Sequence, residues 1–347
     1  MNRPVIPPTN PANPANPANP LPAGEHGGDG PAVAAALGID PDDLLDLSQS
    51  LNPFAPDART IVALHLDSVG RYPDPRRATE ALADTMGIDP GRLLLTNGGS
   101  EAIALVGAHL GRGRVDEPDF ALYRRHLELD PNGPLVRSNP HNPSGLLAAA
   151  DQRAAVWDEA FYPLATGRWT RGDADALVVG SLTKLLACPG LRIGYVLAPD
   201  AAELAPIAAR QPVWAVNGLV ASALPDLVAG IDLIRWSAAI ADSRAELVAL
   251  LGVHGLTARP SDSPWVLVDV PLGLATASAG DSGQTTAATL RAALATEGVL
   301  VRDCTSFGLP DVVRIAVPAP ASLGRLARAL GQVLPSAARR PSVERRP

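Results

Sequence analysis

The chain contains only two cysteines, Cys188 and Cys304, widely separated and outside any CxxC spacing, so neither a disulfide framework nor a thiolate metal site can be built from them. A reducing, cytoplasmic setting is expected. Positive charge is in short supply as well: 29 Lys and Arg against 36 Asp and Glu leave a net charge of -7. Phosphate backbones and anionic membranes are held by clustered cations, so no nucleic acid or membrane partner is expected, and any phosphate must be met locally. No run of about eighteen apolar residues occurs and no basic start precedes an apolar stretch, which argues against a membrane span and a secretory leader. The six histidines, at positions 26, 65, 109, 126, 141 and 254, show no metal-ligand spacing.

What is present is a chain of 347 residues, 46% apolar, enough to bury a sizeable core in one large domain or two moderate ones. Residues 1–24 repeat Pro-Ala-Asn and offer little to bury, so an extended or disordered leader is expected. Residues 336–347 place four arginines among proline and serine and read as a solvated tail rather than a functional basic arm. Between these ends, short apolar runs alternate with longer amphipathic segments. Strands are expected at 93–96, 135–137, 155–157, 176–179 and 195–198, and helices at 100–110, 201–210, 218–228 and 232–251. Beyond residue 230 the rhythm changes to strand 265–270, helix 286–297, strands 299–302 and 312–317, and helix 322–334. This is α/β throughout, with a smaller second domain.

Chemistry concentrates in five places. A buried strand leads into Ser181-Leu-Thr-Lys184, followed by Arg192. A lysine after a strand is ordinarily a surface charge, but desolvation lowers its pKa and makes it an amine nucleophile for an aldehyde, with Ser181, Thr183 and Arg192 available to a phosphate. The same letters satisfy the SxxK pattern of acylating serine enzymes; Ser261-Asp262-Ser263 approximates one supporting element of that class, but no Lys-Thr-Gly follows. Asp158 ends a short apolar strand, where a carboxylate needs a cation, such as a protonated pyridine nitrogen; a helix N-cap is the structural alternative. Ser138-Asn-Pro-His-Asn-Pro-Ser-Gly145 is a stiff turn that projects Asn142 towards the same strand ends. Finally, Asn97-Gly-Gly-Ser-Glu101 opens a helix through two glycines and offers free N–H groups to an anion, without being a GxGxxG or a P-loop.

Together these motifs resemble the fold-type I pyridoxal 5'-phosphate (PLP) enzymes of the class I/II aminotransferase superfamily, and within it the threonine-phosphate decarboxylases of cobalamin biosynthesis and the related histidinol-phosphate aminotransferases. The similarity runs from His26-Gly-Gly28 through Ser48-Gln-Ser-Leu-Asn-Pro53, Arg71-Tyr-Pro-Asp74 and the segments above to Val299-Leu-Val-Arg-Asp-Cys304 and Val313-Arg-Ile-Ala316. The resemblance implies a large PLP domain over 58–229, an N-terminal arm over 25–57 and a small domain over 230–335. It further implies that Lys184 binds the cofactor's aldehyde and moves protons, Asp158 pairs with the ring nitrogen, Asn142 meets the 3'-oxygen and Phe120 stacks on the ring. Gly99, Ser100, Ser181, Thr183 and Arg192 would hold the cofactor phosphate, with Tyr72 reaching in from the other subunit of a homodimer. Arg314 would take the substrate carboxylate, while His26 and Arg302 assist with carboxylate or substrate phosphate. Phe161, where transaminases of this group carry tyrosine, favours decarboxylation of O-phospho-L-threonine; an aminotransferase acting on a related phosphorylated amine is the alternative. Three departures stand out: Ser50 in place of an expected asparagine, Pro318 where an additional arginine is common, and connections so short around residues 123–139 and 145–158 that the helices usual there are missing.

Overall fold

The computed structural model describes residue 21 and residues 27–271 and 285–334; His26 and most of the expected leader and tail lie outside them. The central sheet has five strands, in the spatial order Leu93–Thr96, Gly194–Leu197, Leu177–Gly180, Val156–Asp158, Val136–Ser138. The last three run parallel to one another, and Gly194–Leu197 is antiparallel to both of its neighbours. Every residue of Leu177–Gly180 is buried, as a strand covered on both faces requires.

Alternate residues of these strands feed two cores. Leu95, Val178 and Tyr195 face a layer that includes Leu82 of helix Arg76–Met86 and Leu224 of helix Gly218–Ala229. Val179, Val196, Val156 and Val136 face the opposite way, onto Val106 of helix Gly98–Leu110 and Ile207. Helix Arg76–Met86 was not among the expected elements. A four-stranded antiparallel sheet follows, in the order Arg302–Asp303, Val312–Ala316, Trp265–Asp269, Thr257–Ala258, and packs on helices Leu233–Val253, Thr286–Thr296 and Pro320–Val333 through Leu247, Leu290 and Leu330.

The strand expected over 299–302 is two strands. Val299–Leu300 pairs in parallel with Leu45–Asp46, while Arg302–Asp303 pairs with Val312–Ala316. One extended run serves two sheets, and Val301, fully buried, marks the change of partner.

The short connection between residues 139 and 155 holds no helix or strand. Arg171 replaces one. Its guanidinium donates to the carbonyls of Ala148, Ala149, Ala150 and Gln152, pairs with Asp173 at 3.0 Å and lies 5.0 Å from the centre of the Trp157 ring. The backbone oxygens that a helix would have satisfied are gathered by one side chain.

Candidate active site

The carboxyl ends of Leu93–Thr96, Val136–Ser138, Val156–Asp158 and Leu177–Gly180 converge on one cavity of about 220 Å³, the position where open α/β sheets bind ligands. Its lining includes Gly99, Ser100, Phe120, Asn142, Asp158, Ser181, Thr183, Lys184 and Arg192, with Arg302 and Arg314 arriving from the C-terminal sheet. Tyr72 is elsewhere. It is 78% exposed and stacks on Trp214 with ring centres 4.4 Å apart.

Helix Gly98–Leu110 aims its first turn at the cavity, so its unpaired N–H groups and positive end face inward. Two glycines permit this. Gly98 has φ +75° and a Cβ there would strike the Arg192 guanidinium, while a Cβ at Gly194 would lie 2.6 Å from Gly99 N. Arg192 itself is in the left-handed region, φ 56°, which turns its side chain back to this cradle. Ser181 reaches the same turn: a Cβ on Gly99 would lie 3.6 Å from Ser181 Cβ. Thr183 lines the cavity, but its hydroxyl donates to Ile193 O at 3.1 Å and accepts Ile193 N–H at 3.3 Å. Its hydroxyl therefore braces the turn that carries Arg192.

Lys184 sits in the short helix Leu182–Leu185, directly after its strand, and its backbone carbonyl is held by Asn52 N–H at 3.1 Å. Burial, followed by the charges of Arg314, Arg192 and Arg302, brings its pKa down to about 8. Its Nζ lies 6.0 Å from the centre of the Phe161 ring.

Asp158 is fully formed as an acceptor. Tyr123 Oη donates to Oδ2 at 2.8 Å and Ala160 N–H to Oδ1 at 3.0 Å, while burial pushes its pKa up to about 6. The alternative reading as an N-cap does not hold, since helix Tyr162–Thr166 is preceded by Phe161 with no side-chain cap. Glu159, completely buried, accepts the N–H of Arg171 at 3.0 Å and points away from the cavity lining.

Asn142 is fixed by its loop. Trp265 Nε1–H donates to Pro143 O, Ser263 Oγ–H and Asp262 N–H donate to Gly145 O, and Asp262 accepts Leu147 N–H. Ser261-Asp262-Ser263 is thus a bracket between the two sheets, and Ser261 donates to Trp265 O. Asn142 Oδ1 accepts from Arg314 at 3.0 Å.

Arg302 and Arg314 are directly opposite across their antiparallel strands, 7% and 5% exposed. Burial lowers both pKa values, that of Arg314 to about 9 with Arg302 as the next cause. Facing like charges favour an anion in the cavity between them. Trp265 covers one face of Arg314 at 5.1 Å and Phe307 one face of Arg302 at 4.7 Å.

Sequence reasoning missed Tyr123, Asp119 and Ser138, whose buried polar contacts tie these loops together. Nothing local marked Tyr123, which is followed by Arg124, Arg125 and His126 and meets its partner only through the fold.

The donor set fits PLP. A helix N-terminus with Arg192 suits a phosphate dianion, a carboxylate raised by burial suits a pyridinium, and a lysine lowered to about 8 suits an aldehyde. Ser50 adds an unfilled contact: it is 1% exposed, lines the cavity, and its Oγ has no protein partner among the described residues. The described residues contain no group of three His, Cys, Asp or Glu able to hold a metal, and no helix among them is long and apolar enough to cross a membrane.

Comparison with known proteins agrees with this geometry. The chain is 31% identical to the histidinol-phosphate aminotransferase of Symbiobacterium thermophilum, over 84% of this chain and 91% of that one. It is 29% identical to the threonine-phosphate decarboxylase of Salmonella typhimurium, over 89% and 96% respectively. The crystal structure of histidinol-phosphate aminotransferase from Sinorhizobium meliloti, in complex with pyridoxal-5'-phosphate, superposes with a TM-score of 0.69 at 19% identity, covering 82% of this chain and 89% of that one, which is the fold-type I architecture. Residues 116–332 match the family model for aminotransferase class I and II, and the chain belongs to that family of enzymes.

Proposed function

We propose that this enzyme removes CO2 from O-phospho-L-threonine to give (R)-1-amino-2-propanol phosphate, in cobalamin biosynthesis. The cofactor is PLP, whose protonated ring accepts the electron pair left on the substrate α-carbon when a bond to it breaks. Lys184 Nζ would bind the cofactor's aldehyde and serve as the group that moves protons at the substrate α-carbon. Asp158 would pair with the ring nitrogen, its own hydrogen bonds from Tyr123 and Ala160 keeping it aimed. Gly99, Ser100, Ser181 and Arg192 would hold the cofactor phosphate, Asn142 the 3'-oxygen and Phe120 the ring.

The observation that carries the substrate class is the buried Arg302–Arg314 pair. With Arg192 assigned to the cofactor, two guanidiniums remain, matching a substrate with a carboxylate and a phosphate. Arg314, steered by Asn142, takes the carboxylate; Arg302, with Ser50 and His26, takes the phosphate. Phe161 supports decarboxylation because it brings no hydroxyl to the cavity. We assign the domains as 25–57, 58–229 and 230–335, and place the protein in the cytoplasm, in keeping with two free, buried cysteines. Tyr72 would complete the phosphate site of a partner subunit in a homodimer, in keeping with its exposure and its stacking on the exposed Trp214.

A transaminase reading, on histidinol phosphate, is favoured by the names of several relatives. O-phosphothreonine supplied without a keto acid separates the two. Release of CO2 with equimolar amine phosphate supports decarboxylation; glutamate formed from histidinol phosphate only on adding 2-oxoglutarate, with no CO2, replaces it.

A further inference from the structure

One buried carboxylate beside the cavity is not used by the chemistry above. Asp119 is 1% exposed and immediately precedes Phe120. Its Oδ1 accepts the Ser138 hydroxyl at 2.5 Å and Phe120 N–H at 2.7 Å, and its Oδ2 accepts Ser138 N–H at 3.1 Å. The Ser138 oxygen, having donated to Asp119, accepts Asn142 N–H at 2.7 Å. Phe120 and Asn142, both in the cavity lining, come from different loops, and one carboxylate governs both.

We infer that Asp119 is a positioning residue for the cofactor slot, fixing Phe120 directly and Asn142 through the Ser138 hydroxyl. A neutral amide could accept the two donors that meet Oδ1, but not also the Ser138 N–H that meets Oδ2; only a carboxylate accepts all three. Burial pushes the Asp119 pKa up to about 6, with the Ser138 and Phe120 donors opposing that rise, so the bonds are what keep it ionised near neutrality. Charge-assisted bonds are also stiffer than neutral ones, which suits a residue that sets a distance. The inference rests on Phe120 and Asn142 being the cofactor's contacts.

Asp119→Ala removes the acceptor of the Ser138 hydroxyl and of Phe120 N–H, and Ser138→Ala removes the relay to Asn142. Both variants, and the double variant, are titrated with PLP as full chains, following cofactor Kd, the absorption spectrum of the bound cofactor and the thermal midpoint without cofactor. Each single change is expected to weaken PLP binding about tenfold and shift the spectrum, and the double change to cost no more than either alone, because both break one relay. Ser138→Thr, which keeps the hydroxyl, is expected to bind PLP as the wild type does, and the contrast between Ser138→Ala and Ser138→Thr carries the test if Asp119→Ala does not fold. The inference is overturned if Kd stays within about twofold of wild type while the cofactor-free midpoint falls, or if the single effects multiply to about a hundredfold. Failure of the cofactor-site reading looks different: the unaltered chain would then take up no PLP on Lys184.

Discussion

Arg302 and Arg314 stand opposite one another on adjacent antiparallel strands, both buried, with an aromatic ring over each guanidinium. Two buried guanidiniums on facing strand positions favour an anionic group between them. Replacing Arg314 by Ala should therefore lower kcat/KM for O-phosphothreonine about a hundredfold or more, with Arg302→Ala acting mainly on KM, since a charge-assisted bond to a buried anion contributes about 1.5–3 kcal/mol. Steady-state kinetics on a substrate lacking the phosphate discriminates further: only the Arg314 variant should still be impaired on it.

Lys184 supplies the most direct check. After borohydride reduction of the holoprotein, mass mapping should find a pyridoxyl group on Lys184. Lys184→Ala should carry none, and its turnover should fall at least about a thousandfold.

The amine's pKa of about 8 gives a pH dependence with a definite sign. Below about 8 the amine is protonated and cannot attack an aldehyde; above it the neutral form dominates. Capture of added PLP by cofactor-free protein should rise with pH through this region and level off above it. Because Arg314 is the largest charge contribution after burial, Arg314→Ala should move the midpoint upward in a stopped-flow absorbance series.

Buried carboxylates predict the stability of the cofactor-free protein. Asp158 and Asp119 are raised to about 6 and Glu159 to about 7, chiefly by burial. Between the ordinary carboxylate range and these values the folded state holds protons that the unfolded chain has released, so this contribution to stability grows as pH falls from about 7 towards 4. Glu159→Gln should flatten the trend in thermal midpoints measured against pH. PLP should flatten it too, by placing a cation against Asp158.

Arg171→Ala should destabilise the fold by about 2 kcal/mol, because four partly buried or exposed carbonyl contacts and the Asp173 pair are lost together. Arg171→Lys should recover little, since a single ammonium cannot reach oxygens spread over residues 148–152. Urea denaturation of the three proteins measures both differences.

How much of this was legible beforehand depends on distance along the chain. Lys184, Asp158, Asn142 and Gly99 each stand in a local signature, a strand followed by a turn, and the strand ends of a parallel sheet necessarily bring such turns to one edge. Tyr123 gave no such signal, because its partner Asp158 lies thirty-five positions away and is met only when two loops close over one sheet. The same holds for Arg171, whose four carbonyl partners belong to a segment with no periodicity of its own. Periodicity also cannot show that one extended run changes sheets at Val301, since both halves read as buried strand. Helix Arg76–Met86 was overlooked although its buried residues, Ala78, Leu82 and Ala83, stand at helical spacing.

Gly194 lies where a side chain would collide with the backbone of Gly98 and Gly99. The strand floor and the opening turn of helix Gly98–Leu110 are consequently in main-chain contact, with no side chain as cushion between them. Side chains can repack to absorb a shift, whereas touching backbones cannot. The opening turn of that helix is thereby held at a set distance from the strand floor, whatever the cavity above it contains.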